Sequence, residues 1–136
     1  MKNIFLILLM FPAFGFGQNT LSVEVQGVRN SQGTVNVAVY NQSNGFLEFD
    51  KVYKSDLAKA NQGSTLVLLK GLPEGDYALA VFHDENGNEE LDTNWLGIPK
   101  EDVGFSNAKM KTFGPPSFKE CAFGLNEDSI LTVVLE

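Results

Sequence analysis

An all-β fold, a single antiparallel β-sandwich, is predicted by three features of this chain. Short runs alternate apolar and polar residues at period two, clusters of turn-forming residues separate those runs, and few stretches carry the 3.6-residue apolar period of a helix. Strong strand patterns at both ends, with little helical pattern between them, favour two packed antiparallel sheets.

The first residues read as an address rather than as structure. Lys2 supplies a positive start, Ile4 to Phe16 an apolar stretch, and Gly15 and Gly17 the small side chains of a signal-peptidase site. Cleavage after Gly17 is expected, leaving residues 18–136 as one domain of ample size for a core. The apolar run is shorter than the roughly 20 residues a spanning helix needs, so no membrane insertion is expected after cleavage. No cysteine follows it to carry a lipid.

Along the remaining chain, Leu21, Val23 and Val25 share one face of a first strand. Asn30-Ser31-Gln32-Gly33 is a turn signal, and Val35, Val37 and Val39 share one face of a second strand, so the two read as a hairpin. Asn41 to Gln62 is polar, with Phe46, Phe49, Val52 and Tyr53 at helix-like spacing, and reads as a crossover with a short helical piece or an irregular edge. Ser64 to Lys70 is mostly apolar and reads as a central strand. In Gly71-Leu72-Pro73-Glu74-Gly75, proline fixes φ and glycine supplies a turn conformation. A fourth strand follows, with Tyr77, Leu79 and Val81 alternating with Ala78, Ala80 and Phe82. The last strand, Ser129 to Leu135, places Leu131, Val133 and Leu135 on one side.

Between the last two strands lies a long excursion, Asp84 to Asp128, of a length that is uncommon without a function. Within it, Ser117-Phe118-Lys119-Glu120 has the form of a capping box, placing a helix start near Phe118, and Lys109 to Phe113 reads as a brief strand.

Charge narrows the partners. The chain carries −7, and one unit more once Lys2 is removed. Such a surface disfavours nucleic acid and anionic membranes and suits cations or basic partners. With Cys121 as the only cysteine, no disulfide can form within the chain, so packing or a metal must stabilise it. Cys121 is expected to be a buried, inert thiol in its apolar Cys121-Ala122-Phe123 setting.

The ten residues His83 to Asp92 hold the densest chemistry. Asp84, Asn86 and Asn88 stand at positions one, three and five of a possible cation loop, the Glu90 carbonyl at seven and Asp92 at nine. Oxygen donors at alternate positions suit a hard cation, and calcium is the expected ion. The loop is not the helix-loop-helix calcium hand, because Glu89 stands where that motif needs glycine and Trp95 where it needs a bidentate glutamate. It is closer to the calcium loops between strands of bacterial surface adhesins. With two direct carboxylates, affinity should be on the order of 10⁻⁴–10⁻³ M, as in extracellular modules. The alternative is a solvated turn, since Asn-Gly and Asp-rich runs are ordinary turn formers. Zinc is disfavoured: His83 is the only histidine, projects to the other side of the strand end, and has no cysteine near it in sequence.

Leu72-Pro73-Glu74-Gly75-Asp76-Tyr77-Ala78 followed by Val81-Phe82-His83-Asp84-Glu85-Asn86-Gly87-Asn88, together with Asp92 to Glu101, Gly104-Phe105-Ser106-Asn107 and Phe113 to Phe118, resembles a family of secreted bacterial proteins known as domain of unknown function 2141. The resemblance spans essentially the whole chain after residue 17. Where the family often has Glu-Pro before Gly-Phe-Ser, this chain has Glu101-Asp102-Val103, without the fixed φ of proline. The resemblance implies an immunoglobulin-like or transthyretin-like sandwich, secreted to the periplasm, outer surface or exterior. It implies no activity.

Trp95, Leu96, Ile98, Phe105, Phe113, Phe118 and Phe123 all lie in the long excursion. Either they fold back to cap one end of the sandwich, or Trp95, Phe105, Phe113 and Phe118 form an exposed surface for a glycan or a protein segment. Catalysis has little support. Ser106 and Ser117 lack a nucleophile-elbow motif, Asp92 with Glu101 is the one carboxylate pair worth weighing, and the chain has a single histidine and, in Arg29, a single arginine. The expected role is a secreted, non-catalytic binding or envelope module.

Overall fold

The computed structural model describes residues 18–87 and 101–136. The signal-peptide assignment, the expected ligands Asn88, Glu90 and Asp92, and Trp95, Leu96 and Ile98 lie outside the described residues.

Within those residues the chain forms two packed sheets. Strands β1 (Asn19–Val28), β4 (Gly63–Leu72) and β8 (Ser129–Val134) make one, in the order β4-β1-β8. The other has the order β3-β2-β5-β6 and contains β2 (Thr34–Tyr40), β3 (Lys54–Lys59), β5 (Gly75–Asp84) and β6 (Val103–Phe105). A short strand β7 (Phe123–Leu125) pairs with the first residues of β5, beyond the end of β6. The all-β sandwich expected from the sequence is therefore the observed fold.

The core lies between the two sheets. Leu21, Val23, Val25, Val67, Leu69 and Val133 enter it from one sheet, and Val35, Val37, Val39, Tyr77, Leu79 and Val81 from the other. These are the alternating apolar positions of each strand, and each such side chain removed from water contributes about 1.5–3 kcal/mol. At one corner the Tyr77 hydroxyl donates to the Pro73 carbonyl at 2.6 Å, closing the Pro-Glu-Gly turn onto the strand it starts.

Three expectations need correction. The first two strands are not a hairpin: β1 pairs with β4 and β8, while β2 pairs with β3 and β5. The Asn30–Gly33 turn instead carries the chain from one sheet to the other, because both strands turn their valines to the same core from opposite sides. Next, β4 is an edge strand rather than a central one, and the outward residues of its apolar run, Leu66 and Leu68, are exposed. Last, the sheets are not purely antiparallel, since β8 runs parallel to β1.

The polar stretch after β2 holds a 3-10 turn, Phe49–Lys51, and then β3, a regular edge strand in unbroken register with β2 rather than the irregular edge expected. Lysines at both ends of β3 discourage strand addition there, and Lys54 Nζ donates to the Lys70 carbonyl across to β4. The expected brief strand at Lys109–Phe113 is a single bridge between Lys111 and Gly114. The expected helix is α1 (Phe118–Cys121), and its capping box is complete: Ser117 Oγ accepts from the Glu120 N–H while the Glu120 carboxylate accepts from the Ser117 N–H. Glycine is obligatory at Gly104, where a β-carbon would lie 2.7 Å from the Val134 carbonyl oxygen. Only a bare backbone lets β6 cross so close to β8.

Candidate functional site

The outer face of the larger sheet is not uniformly polar. Ala38 on β2 stands opposite Ala80 on β5, and Ala80 opposite Phe105 on β6. Tyr40 stands opposite Ala78, and Phe82 opposite Val103. Two alanines side by side, ringed by large side chains, leave a hollow. Its volume is about 440 Å³, within the range of small-ligand sites.

Two loops wall the hollow. From one side come Leu47 and Phe49, from the other Met110 to Thr112, Gly114 and Pro115. Leu47 holds φ +71°, a left-handed conformation that costs a bulky residue about 1–3 kcal/mol. Backbone bonds from the Phe46 N–H to the Ser43 carbonyl and from the Glu48 N–H to the Gly45 carbonyl keep the turn tight enough to impose it. Behind the wall, Tyr40, Phe46 and Phe118 form an edge-to-face series with centroid spacings of 5.1 and 5.8 Å. Opposite, Lys111 Nζ meets the Glu120 carboxylate at 2.5 Å, tying the second wall to the capping box. That bond holds the Glu120 carboxyl below its ordinary value. Tyr40 is buried, and burial, helped by the nearby Glu48 carboxylate, raises its hydroxyl above the usual phenol value. The hollow thus offers apolar surface, a neutral phenol and an ion pair at its edge.

The aromatic residues expected to form a surface divide three ways. Phe105 lines the hollow. Phe113, between the lining residues Thr112 and Gly114, is fully exposed at 101%. Phe118 packs behind, with Phe46, in the small apolar cluster that also holds Ala78, Phe105 and Cys121. Phe105 and Phe118 thus cover part of the outer face of the larger sheet, rather than an end of the sandwich, and Phe113 is left exposed. Ala38, Ala80, Leu47 and Phe49 were not expected. Their signal is faint: small residues on one face of a strand whose other face is large, as in Ala78 and Ala80 against Tyr77, Leu79 and Val81.

The two serines have structural duties. Ser106 is fully buried; its Oγ donates to the Cys121 carbonyl at 2.7 Å and accepts from the Leu79 N–H at 2.9 Å. Ser117 caps α1. Cys121 is fully buried, and burial first, then Glu120, pushes its thiol up to about 11. It stays protonated at neutral pH, as its apolar setting suggested.

At the far end of β5 the anionic loop begins. Asp84 is fully buried, and in register with Thr34. The Asn30–Gly33 turn presses against it: a β-carbon on Gly33, at φ +69°, would lie 1.9 Å from the Asp84 carbonyl oxygen. Glu85, Asn86 and Gly87 are exposed. Of the five expected cation ligands, Asp84 and Asn86 are thus placed at the strand end. Among the described residues, no group of three or more His, Cys, Asp or Glu side chains converges. No helix among them is long and apolar enough to cross a membrane.

The chain matches no curated protein and no solved structure. A family model described as "Uncharacterized protein conserved in bacteria" matches residues 23–132, which runs from within β1 to within β8 and takes in both walls of the hollow. The chain therefore belongs to the DUF2141 family of bacterial proteins.

Proposed function

We propose that this protein is a secreted, non-catalytic binding module whose ligand seats in the hollow above Ala38 and Ala80. The supporting observation is the combination of volume and lining: about 440 Å³ walled almost wholly by apolar side chains. Beyond Tyr40, Lys111 and Thr112, such a lining leaves most of a sugar's hydroxyls without partners. An aliphatic or aromatic side chain of a protein segment fits it better, so a protein partner is favoured over a glycan. Phe49 and Phe113, exposed at the loops that wall it, would extend the contact. The signal-like residues 1–17 would deliver the module to the envelope or beyond.

A neutral naphthylamine dye tests this reading. N-phenyl-1-naphthylamine should brighten on binding the native protein. Ala80→Phe, which fills the floor of the hollow, should abolish that response while leaving the melting temperature unchanged or raised. A dye response equal in the two proteins, or absent from both, overturns the site.

The anionic loop supports a second part of the reading, a structural calcium ion started by Asp84 and Asn86. Its support is the alternate spacing of the oxygen-bearing Asp84 and Asn86 where β5 ends. At about 10 mM calcium and the affinity expected of such a loop, the folded state should gain about 1.4–2.7 kcal/mol. Thermal melts with calcium and with a chelator should then differ by several degrees. Superimposable curves would remove calcium from the proposal.

A further inference from the structure

We propose that His83 and Glu85 form a two-ligand site for a borderline divalent cation of the zinc or copper type. His83 is fully buried, and its Nε2 lies 2.7 Å from the Gln32 carbonyl oxygen. A carbonyl only accepts, so Nε2 carries the hydrogen. In the neutral ring, Nδ1 is then a lone-pair acceptor. That atom is buried and has no hydrogen-bond partner. The charged group it faces is Glu85, whose Oε1 is 3.8 Å away and is also an acceptor. Two electron-rich atoms face each other with no donor between them, and a cation is what would satisfy both.

The spacing suits a metal. Zinc bonds imidazole nitrogen and carboxylate oxygen at about 2.0–2.2 Å, so an ion bonded to both atoms can bridge up to about 4.2 Å. At 3.8 Å the pair is already within that reach, and tetrahedral geometry asks for a closure of about half an ångström. Glu85 can supply the movement and the entry path, because its side chain is 43% exposed and its Oε1 is steadied only by a 3.4 Å bond from Asn30 Nδ2. One imidazole with one carboxylate selects zinc or copper over calcium or magnesium. With no third His, Cys, Asp or Glu converging among the described residues, water would complete the shell. Its ligands are not those of the proposed calcium loop, for His83 and Asp84 project from opposite faces of β5.

The test is a titration of the protein with zinc at pH 8, followed by the His83 ring nitrogens in long-range ¹H–¹⁵N spectra and by calorimetry. Zinc should move the Nδ1 resonance and leave Nε2 bonded to Gln32, and calcium at the same concentration should leave Nδ1 in place. Glu85→Gln alters an exposed side chain and should weaken zinc binding at least tenfold in a protein that still folds. An Nδ1 signal that ignores zinc, one that moves equally with calcium, or a Glu85→Gln protein that binds like the native one overturns the assignment.

Discussion

Replacing Ser106 with alanine is expected to remove about 2–4 kcal/mol of folding stability, a large part of what a domain of this size possesses. The hydroxyl stands in for a strand neighbour. The Ser106 N–H donates to the Leu79 carbonyl at 3.2 Å, and its Oγ accepts from the Leu79 N–H and donates to the Cys121 carbonyl. One side chain therefore continues the pairing of β5 beyond the end of β6 and pins α1 to the same strand. Alanine leaves a buried N–H and a buried carbonyl unsatisfied, and each costs about 1–3 kcal/mol. Urea unfolding would read the loss. Ser117→Ala is the internal comparison: its cap is exposed, so it should cost only about 1 kcal/mol. The thiol of Cys121 offers a second readout, because freeing its carbonyl should speed thiol modification under native conditions. Equal losses for the two variants would refute the special role of Ser106.

The second large effect is expected at Gly33, where alanine should cost about 3 kcal/mol or more. Its φ of +69° already disfavours any side chain by about 1–2 kcal/mol. Beyond that, the new β-carbon would sit 1.9 Å from the backbone oxygen of Asp84 and 2.9 Å from the Glu85 α-carbon. Backbone cannot swing aside as a side chain can, so the turn itself must move. Moving it strains two further bonds, from His83 Nε2–H to the Gln32 carbonyl and from the Ala60 N–H to the Gly33 carbonyl. Gly63→Ala isolates the contact from the backbone strain: Gly63 has φ +92° and nothing within 4 Å of the would-be β-carbon. It should lose only the conformational part, about 1–2 kcal/mol. Chemical denaturation of both variants measures the difference, and a Gly33→Ala protein no weaker than Gly63→Ala would refute the argument.

The two variants also mark how far the sequence could be read. Ser106 carries no nucleophile motif in the sequence, and nothing local there tells that its hydroxyl reaches Leu79, 27 residues away. Gly33 reads in the sequence as part of a turn. Its neighbour across that turn, the end of β5, belongs to a segment some fifty residues later. The proposed cation loop is legible only as a spacing of oxygen-bearing residues, of which Asp84 ends β5 and Asn86 follows it. The hollow was nearly invisible, because it arises from two alanines on different strands that become neighbours only through the pairing of β2 with β5.

By itself the sequence determined which residues of β1, β2, β5 and β8 share a face, where several turns fall, and where α1 begins. Those features are local: a period of two, a proline or glycine at a turn, a serine three residues before a glutamate. Tertiary structure alone decided that β1 leaves β2 for β4 and β8, that β4 lies at an edge, and that Ala38, Ala80, His83 and Glu85 acquire their surroundings. The physical reason is that alternation specifies the face a strand buries and says nothing about the neighbour it pairs with. The neighbour is chosen by packing between sheets, among residues far apart in the chain.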